Sequence, residues 1–246
     1  MSEQKDNTDN PQENLEDKPK KHKHKRLKAK KHNLKNKEKK KKRKGIHVGI
    51  GSIILILFCA FLLVVATFLQ LNITHLYLPA KLFTGEVVRW DDFLFSIKYI
   101  PQIPIVLFIV GLLGRRYGFI SILIYIIVGL FFLPVFALGG GWRYIFEYSF
   151  GYILAFLPAA FILGTILKKD YTYKNVAKAV FFAVLTIHII GVFYMAVLAL
   201  FRHAGINFVL GWISAQSGIK ILYDFIFSFL MVLVTKYARA ILWFYL

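Results

Sequence analysis

A patch of glycine, aromatic and charged residues interrupts a long apolar run between residues 133 and 156. Its glycines, Gly139, Gly140 and Gly141, allow backbone N–H groups to approach a ligand closely. Arg143 could pair with a carboxylate through a charge-assisted hydrogen bond. Flat apolar walls would come from the side chains of Phe136, Trp142, Tyr148 and Tyr152. A few polar groups among apolar walls are typical of small-molecule sites, so the patch predicts a ligand-binding loop.

Several of these side chains also have an ordinary structural interpretation. Arg143 and Glu147 are four residues apart and could form a local ion pair at the surface. Trp142 and Tyr148 could belong to the aromatic belt at a membrane interface. The sequence alone leaves both alternatives open.

Lys220 and Asp224 are a second pair of ionisable residues, near the start of the last apolar segment. Ionisable side chains within membrane spans predict a functional role by default. The alternative is that the two residues, one helical turn apart, only neutralise each other. His188 lies in the middle of another apolar segment, without a second histidine or a carboxylate at metal-ligand spacing. We therefore expect His188 to be a hydrogen-bonded packing residue and expect no metal site.

Motifs of the common hydrolytic enzymes are absent from the sequence. It contains no phosphate-binding glycine loop followed by lysine and serine or threonine, no HExxH and no GxSxG pattern. The apolar segments hold no paired nucleophile and base. We expect a protein that is not an enzyme and needs no cofactor. An intramembrane enzyme of unrecognised type or a structural membrane protein is the alternative.

The elements that must position these residues are membrane helices. The chain of 246 residues is 57% hydrophobic, which is too apolar for an ordinary soluble domain. A helix that spans a membrane needs about 20 apolar residues. We expect an all-α integral membrane protein with six spans, at about residues 46–71, 99–114, 117–135, 150–167, 179–201 and 219–234.

The formal net charge of +19 is concentrated before the first span. Residues 1–44 hold 18 of the 32 lysines and arginines and 7 of the 13 acidic residues. This tail lacks apolar periodicity, so we expect it to be disordered. A polybasic run before a span indicates a cytoplasmic N-terminus and contact with anionic lipid headgroups rather than nucleic acid. The expected domains are the tail at 1–44 and a six-helix transmembrane domain at 45–246.

Six spans with a cytoplasmic N-terminus place the C-terminus in the cytoplasm as well. Every short inner loop is then basic, in agreement with the positive-inside rule. The outer loops are residues 72–98, 136–149 and 202–218. The glycine-rich patch is therefore expected at the outer face of the cell membrane.

The middle of the chain, about residues 101–224, resembles the BioY family. Members of this family are the biotin-binding S components of energy-coupling-factor (ECF) vitamin importers. The resemblance is most specific at residues 133–137, which match the family's LPVFA before a glycine cluster. Ser149 falls on a threonine position of the family, and Gly151 with Tyr152 matches its Gly-Tyr pair.

The resemblance implies a fold, a substrate and a set of partners. It implies a substrate-binding domain for biotin uptake that works with an ECF transmembrane coupling protein and two cytoplasmic ATPases. Gln102 is similar to a glutamine before the family's second helix, and Lys220 to a lysine that opens its sixth. The expected substrate-binding residues are Gln102, Phe136, Gly139, Gly140, Gly141, Arg143, Ser149, Tyr152 and Lys220.

The sequence departs from the family pattern at two places. Residues 147–149 replace Gly-Pro-Thr, and Ser217 stands near the position of an aspartate that binds the ureido group of biotin. Asp224 could take over the role of that aspartate. Alternatively, the ureido group could bond to Gln102, Gln216 and Ser217. An S component for a different vitamin is therefore the alternative substrate assignment.

Overall fold

The computed structural model describes residues 49–76, 78–79 and 81–243, so the expectations for the basic tail lie outside the described residues. A compact unit begins at Ile50 and is mostly helical. Its elements are α1 (Ile50–Phe68), β1 (Leu71–Leu76), α2 (Lys81–Thr84), β2 (Leu94–Tyr99), α3 (Gln102–Phe131), α4 (Phe150–Leu154), α5 (Phe156–Leu167), α6 (Tyr173–Phe201), α7 (Ile206–Gln216) and α8 (Lys220–Trp243), with 3-10 turns at Trp90–Phe93 and Trp142–Phe146.

The helices have the length and composition of membrane spans. Segments apolar enough to cross a membrane are Ile50–Phe68, Gln102–Phe131, Phe150–Leu167, Tyr173–Phe201 and Ile206–Ile241. Large apolar side chains on their outer surfaces, such as Phe58, Phe161 and Phe193, are exposed. Helices with apolar outer surfaces are stable in lipid rather than in water. The protein is a multi-pass membrane protein.

Helix α3 consists of two helices that meet at a tight turn at Gly114. This residue has φ 77° and ψ 173°, a conformation that favours glycine. The two parts, α3a (102–113) and α3b (115–131), come together beside the turn. A Cβ added at Gly118 would lie 2.8 Å from the Cα of Val110, so the close approach requires glycine here. With α3a and α3b counted separately, the described residues contain six membrane helices, and the predicted number is confirmed.

The loop after α1 contains a two-stranded antiparallel sheet that the sequence analysis did not predict. Strands β1 and β2 pair with Leu71 opposite Tyr99. The rings of His75 and Phe95, which are opposite each other in the sheet, have centroids 5.2 Å apart. Most side chains of both strands are exposed or half-buried, so the alternating apolar pattern of a strand is weak in the sequence.

The start of α6 and the loop before α8 also differ from the prediction. Helix α6 begins at Tyr173 rather than near residue 179, because the hydroxyl of Thr172 caps it by accepting a hydrogen bond of 3.4 Å from the N–H of Asn175. The predicted loop at 202–218 contains α7. This helix ends where the N–H groups of Ser217 and the next residue both donate to the carbonyl of Ile213.

The helix termini form two distinct ends of the bundle. At one end, Arg239 of α8 donates a hydrogen bond of 3.0 Å to the carbonyl of Leu112 and lies beside Gly114. The other end holds the hairpin of β1 and β2, the glycine-rich loop and α7. These segments follow the C-terminal ends of α1, α3b and α6, which lie at the end of the bundle away from Gly114. Most of the candidate site residues are therefore gathered at this second end.

Candidate ligand-binding cavity

A cavity of about 310 Å³ lies among β2, α3a, α4, α6 and the start of α8. Its volume is at the small end of the range for small-molecule sites. The apolar lining consists of Ile100, Ile103, Ala137, Leu138, Ile153 and Phe156. The polar lining consists of Gln70, Lys98, Tyr99, Gln102, Tyr144, Ser149, Tyr152, His188, Gln216, Lys220 and Asp224. A lining that combines apolar side chains with many hydrogen-bonding groups suits an organic ligand that has both polar and apolar parts.

The carboxylate of Asp224 is a buried charge at the cavity wall, with 4% of the residue exposed. The phenol of Tyr99 donates a 2.7 Å hydrogen bond to Asp224 Oδ1, and His188 Nε2 lies 3.1 Å from Oδ2. Burial, together with the nearby charge of Asp224, raises the pKa of Tyr99, so the phenol remains a donor. A carboxylate has about four acceptor positions, so Asp224 keeps acceptor capacity for a ligand.

His188 connects Asp224 to the rest of the polar lining. Its Nδ1 lies 2.9 Å from Ser217 Oγ, which lies 2.8 Å from the hydroxyl of Tyr152. A neutral imidazole satisfies this chain: Tyr152 donates to Ser217, Ser217 donates to Nδ1, and the Nε2 hydrogen goes to Asp224. The imidazole thus spans the gap between Ser217 and the carboxylate of Asp224.

Lys220 lies one helical turn before Asp224 and is half-buried. Its Nζ is 3.4 Å from Gln216 Oε1. Lys220 forms no direct ion pair with Asp224 in the described part of the chain, and the carboxylate of Asp224 is hydrogen-bonded to Tyr99 and His188. The ammonium group of Lys220 is therefore a positive group at the cavity without a carboxylate partner of its own.

The glycine-rich loop folds back onto the end of α3b. Phe136 exchanges backbone hydrogen bonds with Gly139, and the N–H of Gly141 donates to the carbonyl of Gly129 at 2.9 Å. Gly139 and Gly141 have φ values of 117° and 87°, which glycine adopts without strain. A Cβ at Gly140 would lie 2.6 Å from Pro134 Cα. The three glycines thus shape the loop backbone.

Phe136 is the side chain that fixes this loop to the helices. It is fully buried, and its ring occupies the space that a Cβ at Gly129 would need. It packs against the ring of Tyr144 with centroids 4.6 Å apart and against Tyr125 at 5.4 Å. Tyr144 in turn lines the cavity and makes a 3.1 Å hydrogen bond with Ser149. Phe136 therefore supports the cavity wall from behind.

The nine residues predicted from sequence fall into two groups. Gln102, Ser149, Tyr152 and Lys220 come together in the cavity lining. Phe136, Gly139, Gly140, Gly141 and Arg143 are not part of that lining. Arg143 is exposed, and its guanidinium carbon lies 5.7 Å from the centre of the Trp142 ring.

Thirteen lining residues lie outside the predicted set, and three of them form the hydrogen-bonded cluster described above: Tyr99, His188 and Asp224. His188 is buried and hydrogen-bonded, as expected for a packing residue, but it also faces the cavity. Asp224 was singled out in the sequence as the ionisable neighbour of Lys220 and as a possible replacement for the family's aspartate, and the structure places it in the lining. No sequence pattern indicated Tyr99 as a site residue, because strand β2, which was not predicted, brings its hydroxyl to Asp224.

Two reciprocal contacts between glycine and tyrosine position α4 against α6. A Cβ at Gly191 would lie 2.5 Å from the ring of Tyr152, and a Cβ at Gly151 would lie 2.3 Å from the Cβ of Tyr194. Each tyrosine thus packs directly on the backbone of the opposite helix. This close packing holds the Tyr152 ring where its hydroxyl reaches Ser217.

Comparisons with known proteins give a consistent result. The model of the BioY family matches residues 93–244. A relative described as a probable biotin transporter BioY, from Lysinibacillus sphaericus, is 37% identical over 106 residues, which are 40% of this chain and 54% of the relative. The chain thus matches about half the length of this curated relative.

A solved structure also has this fold. It is described as the S-component for biotin from an ECF-type ABC transporter, and it aligns with a TM-score of 0.57 at 22% identity over 78% of this chain and 92% of its own. At this identity the likeness establishes the fold alone. The family model, in contrast, covers more than half of the sequence, so this chain belongs to the BioY family.

Proposed function

We propose that this protein is the membrane-embedded substrate-binding component of a biotin uptake system. The observation that carries the proposal is the position of the family match. Residues 93–244 include every residue that lines the cavity except Gln70. Both similar proteins are described as transport proteins for biotin, and neither as an enzyme, in agreement with the expectation that this chain is not an enzyme.

The chemistry of the cavity supports biotin as the ligand. Biotin has a ureido ring with two N–H donors and one carbonyl acceptor, an apolar chain and a carboxylate. The ureido N–H groups suit the acceptors Asp224 and Gln102, and the apolar chain suits Ile153 and Phe156. The carboxylate suits the ammonium group of Lys220, which lines the cavity and forms no direct ion pair with a described residue. In this arrangement Asp224 acts in place of the aspartate that Ser217 replaces.

The test of this proposal is a calorimetric titration of biotin into the detergent-purified protein. We expect Lys220→Ala to weaken binding about tenfold or more, because it removes a charged hydrogen-bonding partner. Arg143→Ala removes another positively charged side chain, one outside the cavity lining, and we expect it to have the smaller effect. If Arg143→Ala had the larger effect, the ligand carboxylate would instead bind at the glycine-rich loop. Failure of the wild-type protein to bind biotin would exclude the proposed substrate.

The proposed partners are an ECF transmembrane coupling protein and two cytoplasmic ATPases. The basic end of the bundle, with Arg115, Arg116 and Lys168, would face the cytoplasm, and the cavity would open outward from the cell membrane. The polybasic tail would be cytoplasmic and bind anionic lipid headgroups. We expect biotin uptake into proteoliposomes to require ATP, the coupling protein and the ATPases in addition to this chain. Uptake by this chain alone would contradict that assignment.

A further inference from the structure

Three polar side chains beside the cavity form a closed triangle of hydrogen bonds. Gln102 Nε2 donates to Tyr125 OH at 2.8 Å and to Thr67 Oγ1 at 3.1 Å. The two hydroxyl oxygens are 3.0 Å apart. Thr67 and Tyr125 are 2% and 1% exposed, so they have little access to water as an alternative partner. Of the three side chains, only that of Gln102 lines the cavity.

The protons of this triangle fix the orientation of the Gln102 amide. Thr67 donates its hydroxyl proton to the carbonyl of Leu63 at 2.9 Å, and a carbonyl can only accept. The proton of Tyr125 is then the one left for the contact between the two hydroxyl oxygens. With the amide nitrogen in the triangle, both oxygens can accept from Gln102. With the amide reversed, the carbonyl oxygen of Gln102 would face both hydroxyl oxygens. The Tyr125 proton would then be the single proton available for the three oxygen–oxygen contacts, so two of these contacts would be between lone pairs.

The carbonyl oxygen of Gln102 is consequently the free end of the amide. No described residue donates to Gln102 Oε1, and this oxygen is not one of the buried polar atoms without a partner. It is therefore open to the cavity that Gln102 lines. The cavity thus contains a neutral acceptor of fixed orientation in addition to the carboxylate of Asp224.

We propose that Thr67 and Tyr125 are positioning residues that orient the Gln102 amide, so that its carbonyl oxygen selects ligands with an N–H donor. This inference rests on the proposed function, because the ureido ring of biotin supplies such a donor. Neither positioning residue lines the cavity, so both act only through Gln102. The specificity of the site is then determined partly by α1 and α3b, which carry these hydroxyl groups.

The test compares biotin with its two mono-N-methyl ureido analogues in titrations of the purified full-length protein. We expect the wild-type protein to bind both analogues less tightly than biotin, because one methyl group replaces the N–H that faces Asp224 and the other replaces the N–H that faces Gln102. The informative analogue is the second, whose methyl group faces Gln102. Gln102→Met should weaken biotin binding about tenfold and leave binding of that analogue unchanged. Thr67→Val and Tyr125→Phe should reduce the ratio of the affinity for biotin to the affinity for that analogue. Thr67→Ser keeps the hydroxyl and should retain the wild-type ratio.

Ser121→Ala is the matched control for these variants. It removes another fully buried hydroxyl, which donates to the Ile56 carbonyl at 3.0 Å between α3b and α1 but does not line the cavity. We expect it to leave the affinity ratio unchanged. If Thr67→Val weakened binding of biotin and the analogue by the same factor, its role would be structural and the inference wrong. If the wild-type protein bound no biotin, the proposed function would fail as well.

Discussion

Replacing Asp224 by asparagine is expected to weaken biotin binding about 100-fold, since hydrogen bonds to a buried charge are worth about 1.5–3 kcal/mol. Tyr99 and His188 both donate to the wild-type carboxylate. An asparagine amide can accept from one of them, but its NH₂ group must then face the other donor. The ligand N–H groups also lose a charged acceptor. Calorimetric titration with biotin measures the effect directly.

Asp170→Asn provides the control for this substitution. Asp170 is an exposed aspartate in the loop between α5 and α6, at the opposite end of the bundle. Asp170→Asn changes the net charge of the protein by the same amount as Asp224→Asn, and we expect this control to bind biotin with wild-type affinity. Wild-type affinity in Asp224→Asn, with an unchanged melting temperature, would show that the buried carboxylate does not contact the ligand.

Phe136→Ala is expected to lower the stability of the protein by about 3–5 kcal/mol, the range for removal of a buried aromatic side chain. The ring fills the space above Gly129 and supports Tyr144, so its removal leaves a cavity behind the binding site. Biotin affinity should fall as a consequence, because Tyr144 loses its support. The melting temperature in detergent, with and without biotin, separates the two effects.

Leu138→Ala is the control within the same loop. Leu138 lines the cavity but is 68% exposed, so its truncation should alter ligand contact with little loss of stability. A Phe136→Ala variant with a normal melting temperature and weak binding would contradict the supporting role. In that case Phe136 would contact the ligand, as its motif position first suggested.

The membrane helices could be predicted from sequence because their signal is local. Each span is a run of apolar residues, and Gly114 with the two arginines after it separates α3a from α3b even though the helices are short. The β-hairpin could not be predicted in the same way. Its strands pair with each other over an exposed surface, so their apolar residues do not alternate clearly.

The cavity was only partly predictable, because a motif position does not distinguish a lining residue from one that packs behind it. Phe136 and the three glycines belong to the most specific motif, yet they shape and support the loop. Within the cluster around Asp224, the spacing of Asp224 from Lys220 is the local signal, and the partners of the carboxylate have none. Tyr99 is 125 residues away in sequence and His188 is 36 residues away, so only the fold brings them together.

The bond between Tyr99 and Asp224 has a thermodynamic consequence. Tyr99 is the last residue of β2, so the β-hairpin and the carboxylate share one contact. Anything that changes the position of the hairpin must change the free energy of the carboxylate that faces the ligand. Linkage is reciprocal, so any movement of the hairpin that changes the affinity for a ligand is itself changed by the ligand by the same factor. The hydrogen bond from Tyr99 to Asp224 is therefore the contact through which the hairpin and the cavity are coupled.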